Sequence, residues 1–183
     1  MTPPVERGRL AGLILAGGQS VRMGQDKAEL VWRGRSLLDH ARALLLATGV
    51  SVIHVGGRPQ EPDGLPDSQP HAGPARAILD AARILQGRFD SLLVIPVDMP
   101  LLGPDQLAPL IAAGAGQARH WADQPLPALV PIEPCLALES DDIHSIKRLL
   151  ASLHAAALPL SGPDAPFSNI NTPDALARLD TGH

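Results

Sequence analysis

The amino-acid sequence predicts a three-layer α/β/α sandwich, in which helices cover both faces of a mostly parallel sheet. Short and almost continuous apolar runs recur along the chain, a pattern typical of strands that are buried on both faces. Segments with a helical apolar face lie between these runs, and this alternation favours an α/β fold. The chain has 183 residues, a length that suits one domain with a full core, so we expect a single domain over residues 1–183.

Four apolar runs have the length of a strand and are near-continuous rather than alternating. They are Leu10–Leu15, Val50–Val55, Leu92–Val97 and Ala128–Ile132. Ligands of open α/β sheets bind outside the carboxyl ends of the strands. The residues that follow these runs are therefore the first candidates for a site.

Five segments between and after these runs carry a helical pattern. They are 36–49, 74–87, 103–113, 141–156 and 172–179. Ser36 is a suitable N-cap for the first segment, and Pro104 suits the first turn of the third. Pro109 is expected to kink or shorten that third helix. Asp141 and Asp142 are expected to stabilise the N-terminus of the fourth helix rather than to bind a metal.

The composition argues against several classes of function. A net charge of −4 gives no reason to expect nucleic acid, and 2 % aromatic residues do not provide a stacking platform for single strands. Cys135 is the only cysteine, which excludes an intrachain disulfide and a cysteine-based zinc site. No apolar run is long enough to span a membrane, and the polar N-terminus lacks the apolar region of a signal peptide. We therefore expect a cytoplasmic protein.

The segment after the first run, "LAGGQSVRMGQDK" from Leu15 to Lys27, has the composition of a phosphate-binding loop. Gly17 and Gly18 at the strand end let backbone N–H groups approach an anion closely, while Arg22 and Lys27 supply two cations. The segment matches neither the P-loop nor the dinucleotide-binding glycine pattern, so it would be a third kind of nucleotide loop. The alternative is a tight turn with solvated cations.

Two later segments carry further candidate groups. The run Leu92–Val97 leads into Asp98, a candidate ligand of Mg²⁺, because this ion is usually held by a carboxylate together with substrate phosphates. The alternative for Asp98 is the start of a turn before Pro100. In "FSNINTPDAL", Asn169 and Asn171 would point the same way in an extended segment, with helix capping as the alternative.

Segments 57–72 and 159–166 lack a periodic apolar pattern. The first is rich in Pro, Asp and Gly, and we interpret it as a functional surface loop, with a flexible linker as the alternative. The second has the composition of a linker before the last helix.

These motifs resemble those of nucleotidyltransferases with the glycosyltransferase-A-like fold, which is built on a Rossmann-like sheet. More narrowly, the chain resembles the molybdenum cofactor guanylyltransferase family. The matching pieces are "LILAGGQSVRMGQDKAEL", "DSQPHAGPARA", "IPVDMPLL" and "FSNINTPDAL", and they follow the family order over almost the full length. The adjacent Asp26 and Lys27, together with the "NINTP" ending, favour the guanylyl branch over cytidylyl relatives.

The resemblance implies transfer of GMP from GTP to the terminal phosphate of molybdopterin, with release of pyrophosphate and with Mg²⁺ as cofactor. Lys27, Arg22 and Asp98 would be the catalytic residues, and Asp98 would also hold Mg²⁺. Asn169 and Asn171 would line the mouth where the pterin phosphate enters. The nucleotide would be bound by Leu15, Ala16, Gly17, Gly18, Lys27, Asp67 and Asp98.

The sequence departs from the family pattern at two places. Members often carry an Asn after the second strand, whereas Val55 and Gly57 offer no amide side chain, and Ala77 replaces a second Gly after Asp67. Both departures concern the base or ribose more than the phosphates. Two other functions stay open: a sibling enzyme that uses CTP or a sugar phosphate, and a nucleotide-binding adaptor without turnover. The expected partners are GTP and molybdopterin, with molybdoenzyme chaperones or other proteins of cofactor biosynthesis as further ones.

Overall fold

The structure is a computed structural model that describes residues 8–17, 26–50, 52–66, 68–69, 72–112, 114, 116–139, 142–160, 165–170, 175–176 and 179. These residues form a seven-stranded sheet and a two-stranded hairpin, which consists of β2 and β3. In chain order the strands are β1 (Leu10–Leu15), β2 (Val31–Trp32), β3 (Arg35–Ser36), β4 (Ile53–Gly56), β5 (Gly64–Leu65), β6 (Ser91–Pro96), β7 (Arg119–Trp121), β8 (Gln124–Pro131) and β9 (Ala156–Leu158).

The strands of the large sheet lie in the order β5-β4-β1-β6-β8-β7-β9. Strands β5, β4, β1 and β6 are parallel, β8 runs antiparallel to both of its neighbours, and β9 is parallel to β7. The sheet is therefore mostly parallel, as predicted. The chain extends the sheet from β1 to one side and then returns to the other side at β6, so a topological switch point lies between β1 and β6.

Helices cover both faces of this sheet. In the part of the chain that the structure describes, they are α1 (Leu37–Ala47), α2 (Pro74–Leu85), α3 (Pro104–Ile111), α4 (Ile132–Leu136) and α5 (Ile146–Ser152). The apolar residues of α2, α4 and α5 pack on one face, and those of α1 and α3 pack on the other. The predicted three-layer sandwich is confirmed. Among the described residues, no helix has the length and apolar character needed to cross a membrane.

The predicted helix signals act as expected in α1 and α3. Ser36 Oγ accepts a hydrogen bond from the Asp39 N–H at 3.0 Å and so caps α1. Beyond its C-terminus, Gly49 has a φ of +85°, the left-handed conformation in which glycine ends helices. Helix α3 begins at Pro104 and continues for only two residues beyond Pro109, which agrees with a shortened helix.

The fourth predicted helix is shorter than its apolar pattern indicates. Helix α5 begins at Ile146, because Ser145 caps it by accepting a hydrogen bond from the Arg148 N–H at 3.1 Å. The prediction that Asp142 lies at this N-terminus is therefore wrong. Asp142 precedes the cap, and Asp141 lies outside the described residues.

Three of the predicted strands also have different bounds, and β6 differs by one residue at each end. The last one, β8, begins at Gln124 and ends before Ile132, which opens α4. Strand β4 begins at Ile53, later than the start of its apolar run. The predicted helix 172–179 lies largely outside the described residues, and its described members Ala175, Leu176 and Leu179 are helical.

A close backbone contact joins the ends of β1 and β4. Gly57 has a φ of +81°, and a Cβ added there would lie 2.3 Å from the Cα of Gly17. The Ala16 N–H donates to the Gly56 carbonyl at 3.1 Å, which holds the two strand ends together. Glycine is therefore required at position 57 both by its backbone conformation and by the approach of a second backbone.

Substituting Gly57 by Ala should destabilise the protein more than substituting Gly49 by Ala. Both glycines have a positive φ, +81° and +85°, so each variant loses roughly 1–2 kcal/mol by placing alanine in the left-handed region. Nothing lies within 4 Å of a Cβ at Gly49, whereas a Cβ at Gly57 collides with backbone. Urea unfolding measures both free energies. Equal losses would contradict a structural role for the Gly17–Gly57 contact.

Candidate active site

An ion pair between Lys27 and Asp98 lies at the carboxyl edge of the sheet. The Lys27 Nζ donates to Asp98 Oδ2 at 2.9 Å, although the two residues are 71 positions apart in sequence. Each side chain is 21 % exposed, so the pair is partly shielded from water and still reachable from solvent. The fold thus brings together two of the predicted site residues.

The register of the sheet places Asp98 beside the segment that follows β1. Leu15 lies opposite Pro96 in the parallel pair of β1 and β6, and the Val97 N–H donates to the Leu15 carbonyl at 3.1 Å. Asp98 comes next, in a turn where the chain leaves the sheet. The two interpretations of Asp98 are therefore compatible, because it lies in a turn and also presents its carboxylate to Lys27.

A short 3-10 turn over Lys27–Glu29 holds the lysine. Asp26 caps this turn, since its Oδ1 accepts a hydrogen bond from the Ala28 N–H at 3.0 Å. Ala28 is 1 % exposed and packs in the core beneath α1. Lys27 therefore extends from a backbone that is fixed on one side by a cap and on the other by a buried residue.

Beside this turn lies a buried cation that was not among the predicted site residues. The Arg58 side chain is only 6 % exposed and is surrounded by the carboxylates of Asp26, Glu29 and Glu61. It donates to Asp26 Oδ2, and to Glu29 Oε1 at 3.1 Å. Burial lowers the pKa of Arg58, but the three carboxylates more than offset this effect, so the pKa is raised and the guanidinium stays charged.

Arg42 on α1 extends this network. It donates to Asp63 at 2.6 and 3.1 Å and to Glu61 at 2.9 Å. The hydrogen bonds to Asp63 raise the pKa of Arg42, against an opposing effect of burial and with a further contribution from Glu61. The described part of segment 57–72 is therefore fixed by ion pairs rather than a flexible linker, and the prediction of a loop is wrong at Gly64–Leu65, which form strand β5.

The three residues at the end of β1 differ in their access to a ligand. Leu15 is buried, Ala16 is half-buried and Gly17 is exposed. The Ala16 N–H is bonded to the neighbouring strand end, so a nucleotide contact through its backbone is left to the carbonyl group. Gly18 and Arg22, predicted to contact the phosphates, lie outside the described residues.

The segment that contains Asn169 lies against the turn of Asp98. The Ile170 N–H donates to the Asp98 carbonyl at 2.7 Å, and Ile170 is buried in the core on the α1 side. Asn169 is exposed and lies one residue from this contact. Asn171 lies outside the described residues.

Asp67 also lies outside the described residues, but its neighbour Ser68 is fixed to α2. The Ser68 N–H donates to Asp80 Oδ2 at 2.8 Å, and the Arg76 Nε donates to Ser68 Oγ at 3.1 Å. Asp80 is 5 % exposed and also pairs with Arg83 at 3.1 Å. It was not predicted, because it is a single acidic residue beside the apolar stripe of α2.

The positions at which the sequence departs from the family pattern offer no polar side chain in the structure either. Val55 is fully buried within β4, and Gly57 packs against Gly17. A Cβ at Gly56 would lie 3.6 Å from the Cβ of Ala77, so the first turn of α2 packs closely over the end of β4. An amide contact to a base must therefore come from other positions.

A single carboxylate is the candidate metal ligand at this site. Within the described ranges, no group of three or more His, Cys, Asp or Glu side chains is arranged to hold a metal ion. Asp98 alone fits Mg²⁺, which retains waters and takes phosphate oxygens of the substrate as further ligands. The residues present are thus compatible with Mg²⁺ that arrives together with a nucleotide.

An open α/β sheet with glycines, a lysine and an aspartate at its switch point defines a nucleotidyltransferase-like protein. Residues 12–158 match the family model described as MobA-like NTP transferase domain. The chain belongs to this family, which confirms the family resemblance found in the sequence.

The relatives share most of their length with this chain. The chain is 35 % identical to the molybdenum cofactor guanylyltransferase of Xanthomonas euvesicatoria pv. vesicatoria (strain 85-10), over 92 % of this chain and 93 % of the relative. It is 36 % identical to the protein of that name from Rhodobacter capsulatus, over 94 % and 95 %. The crystal structure of molybdopterin-guanine dinucleotide biosynthesis protein A from Archaeoglobus fulgidus has a TM-score of 0.70 at 22 % identity, covering 94 % of this chain and all of that one. This last likeness shows a shared fold.

Proposed function

We propose that this protein transfers GMP from GTP to the terminal phosphate of molybdopterin, giving the guanine dinucleotide form of the cofactor and pyrophosphate. The observation that carries the proposal is the Lys27–Asp98 pair at the switch point of the sheet, in a chain of the MobA-like family. The names of the relatives, molybdenum cofactor guanylyltransferase, support GTP and molybdopterin as substrates.

The proposed step is an in-line displacement at the α-phosphorus of GTP. An oxygen of the molybdopterin phosphate forms the new bond to this phosphorus, and the bond to the bridging oxygen of the β-phosphate breaks. Pyrophosphate leaves with the electron pair of that bond. A phosphate nucleophile is already ionised, so catalysis rests on positioning and on charge neutralisation rather than on a general base.

Lys27 would place its ammonium group on the α-phosphate, where negative charge must be offset. Asp98 would hold Mg²⁺, which supplies positive charge to phosphate oxygens when bound. The 2.9 Å contact with Asp98 holds the Lys27 ammonium group in place. Both charged groups are thus oriented in advance, which lowers the reorganisation needed during the reaction.

The other residues predicted for the nucleotide are proposed to contact its phosphates and the rest of the molecule. Gly17 and Gly18 would bind phosphates through backbone N–H groups, and Arg22 would stabilise the departing pyrophosphate. Asp67 would contact the nucleotide; its neighbour Ser68 is held by Asp80 and Arg76.

Asn169 and Asn171 would line the entrance for the pterin phosphate. The contact between Ile170 and Asp98 supports this placement for the first of the two. The product would then pass to proteins of molybdoenzyme maturation in the cytoplasm.

The direct test is incubation of purified protein with GTP, Mg²⁺ and molybdopterin, followed by detection of the guanine dinucleotide cofactor and of pyrophosphate. Formation of both products in equal amounts is expected. Binding of GTP without release of pyrophosphate would instead favour the adaptor function.

Replacing Lys27 by Ala should lower kcat by ~10²-fold or more, because a preorganised cation is lost at the phosphates. Lys147 is the only other lysine in the chain and is exposed on α5, so Lys147→Ala is the matched control. Release of pyrophosphate and thermal melting are measured for both variants. Turnover of Lys27→Ala within a few-fold of the wild type, at an unchanged melting temperature, would show that Lys27 is not catalytic.

Replacing Asp98 by Asn should abolish Mg²⁺-dependent turnover more than it weakens nucleotide binding. The amide retains the shape of the side chain but lacks the charge that a hard cation requires. Asp105→Asn, at an exposed position in the first turn of α3, is the control. Isothermal titration of Mg²⁺ in the presence of GTP measures the effect, and an unchanged metal affinity in Asp98→Asn would rule out Asp98 as the ligand.

GTP should bind at least ~10-fold more tightly than ATP, because guanine presents two hydrogen-bond donors, N1–H and the 2-amino group, that adenine lacks. A site built to accept them is left with unpaired acceptors when adenine binds. Competitive binding of GTP, ATP and CTP with Mg²⁺ present measures the preference. Equal affinities, or a preference for CTP, would leave only the wider nucleotidyltransferase class.

A further inference from the structure

We infer that Arg58 is a positioning residue for Lys27: its guanidinium holds Asp26, and Asp26 fixes the turn from which Lys27 reaches Asp98. The inference rests on the proposed function only for its activity measurement. The contacts that carry it are present without substrate and can be examined on the protein alone.

The burial of Arg58 is set by its carboxylate partners rather than by its place in the chain. The next two residues, Pro59 and Gln60, are exposed, so the loop itself runs over the surface. The Arg58 side chain nevertheless turns inward and is only 6 % exposed. Burying a charge is costly unless opposite charges compensate it, and here Asp26, Glu29 and Glu61 do so.

Asp26 connects this guanidinium to the lysine. One carboxylate oxygen, Oδ1, accepts from the Ala28 N–H at 3.0 Å, and the other, Oδ2, accepts from Arg58. The carboxylate is thus held at both oxygens, and its orientation fixes the start of the turn. Lys27 is the next residue, so the cap fixes the backbone from which its side chain reaches Asp98.

The other side of Arg58 is anchored on rigid parts of the fold. Its chain neighbour Gly57 packs against Gly17 at the end of β1. Glu61, which lies 3.7 Å from the Arg58 Nε, also accepts from Arg42 of α1 at 2.9 Å. Arg58 therefore links the turn that bears Lys27 to the ends of β1 and β4 and to α1.

Loss of this link should affect the chemical step more than substrate binding. Without the guanidinium, Asp26 loses the partner of one oxygen, and the turn is held only by the cap and by the packing of Ala28. A displacement of the lysine by about 1 Å is enough to lower kcat by up to ~10²-fold. The KM for GTP should change by less than about threefold, since the loop that binds phosphates through its backbone is retained.

The test compares Arg58→Gln with Arg119→Gln. Gln retains much of the length of arginine but lacks its charge and its forked donors. Arg119 is a matched control, because it is buried to a similar extent: as whole residues, Arg119 is 7 % exposed and Arg58 is 5 % exposed. Arg119 donates to the carbonyls of Leu110 and Gly114, away from Asp98. Both variants thus remove a buried guanidinium, and only one removes the contact with Asp26.

The first readout is the NMR signal of the Lys27 side-chain ammonium group, in protein with isotope-labelled lysine. The chain contains only two lysines, Lys27 and Lys147, so two side-chain signals are expected, and Lys147→Arg assigns them. In Arg58→Gln the Lys27 signal should move toward that of the exposed Lys147, whereas in Arg119→Gln it should stay at the wild-type position. The second readout is guanylyl transfer, in which only Arg58→Gln should lose at least ~10-fold in kcat.

A wild-type Lys27 signal in folded Arg58→Gln would overturn the inference, as would an equal shift in Arg119→Gln. If Arg58→Gln does not fold, Asp26→Asn disturbs the same link from the other side, because its amide has a single accepting oxygen, which can bond either the Ala28 N–H or Arg58 but not both, and the same shift is required. If the Lys27 signal moves but wild-type protein transfers no GMP, the positioning role holds and the proposed function fails.

Discussion

The burial of β1 on both faces is the constraint on which the site depends. Its residues from Ala11 to Leu15 are all buried, with Leu13 in one core and Ile14 in the other. The strand cannot shift by one residue without moving apolar side chains to the wrong face. Its register places Leu15 opposite both Gly56 and Pro96, so the segments that follow β1, β4 and β6 leave the sheet at one fixed point. The glycine loop, Arg58 and Asp98 belong to these three segments.

The charged residues at this edge of the sheet hold functional groups in position more than they stabilise the fold. A partly exposed ion pair contributes little to the free energy of unfolding, so the Lys27–Asp98 contact is not explained by stability alone. It keeps an ammonium group and a carboxylate in fixed places, beside the end of β1. The same reasoning applies to the buried Arg58. An apolar residue there would avoid the cost of burying a charge, but it could not hold the carboxylate of Asp26.

The sequence was sufficient to predict the central strands, the α1 and α2 faces and the convergence of Lys27 and Asp98. The strands and helix faces depend on apolar patterns, and the place of Asp98 depends on the rule that parallel strands end at one edge of a sheet. That Lys27 shares a site with Asp98 was implied by the family resemblance. Strands β5, β7 and β9 have two or three residues, too few for a periodic pattern to be recognised. The burial of Arg58 and Asp80 could not be predicted either, because it depends on partners up to 32 positions away in sequence. Their side chains alone are typical of a solvated surface.

The contacts that hold Lys27 and Asp98 differ from those that hold Ser68, the neighbour of Asp67. Lys27 and Asp98 are held by the 3-10 turn and by the end of β6. Ser68, next to Asp67, is held instead by Asp80 and Arg76 of α2. Val55 lies inside the core and Ala77 packs over the end of β4, so neither residue supports the turn of Lys27. The departures from the family pattern at these two positions therefore leave the Lys27–Asp98 pair intact.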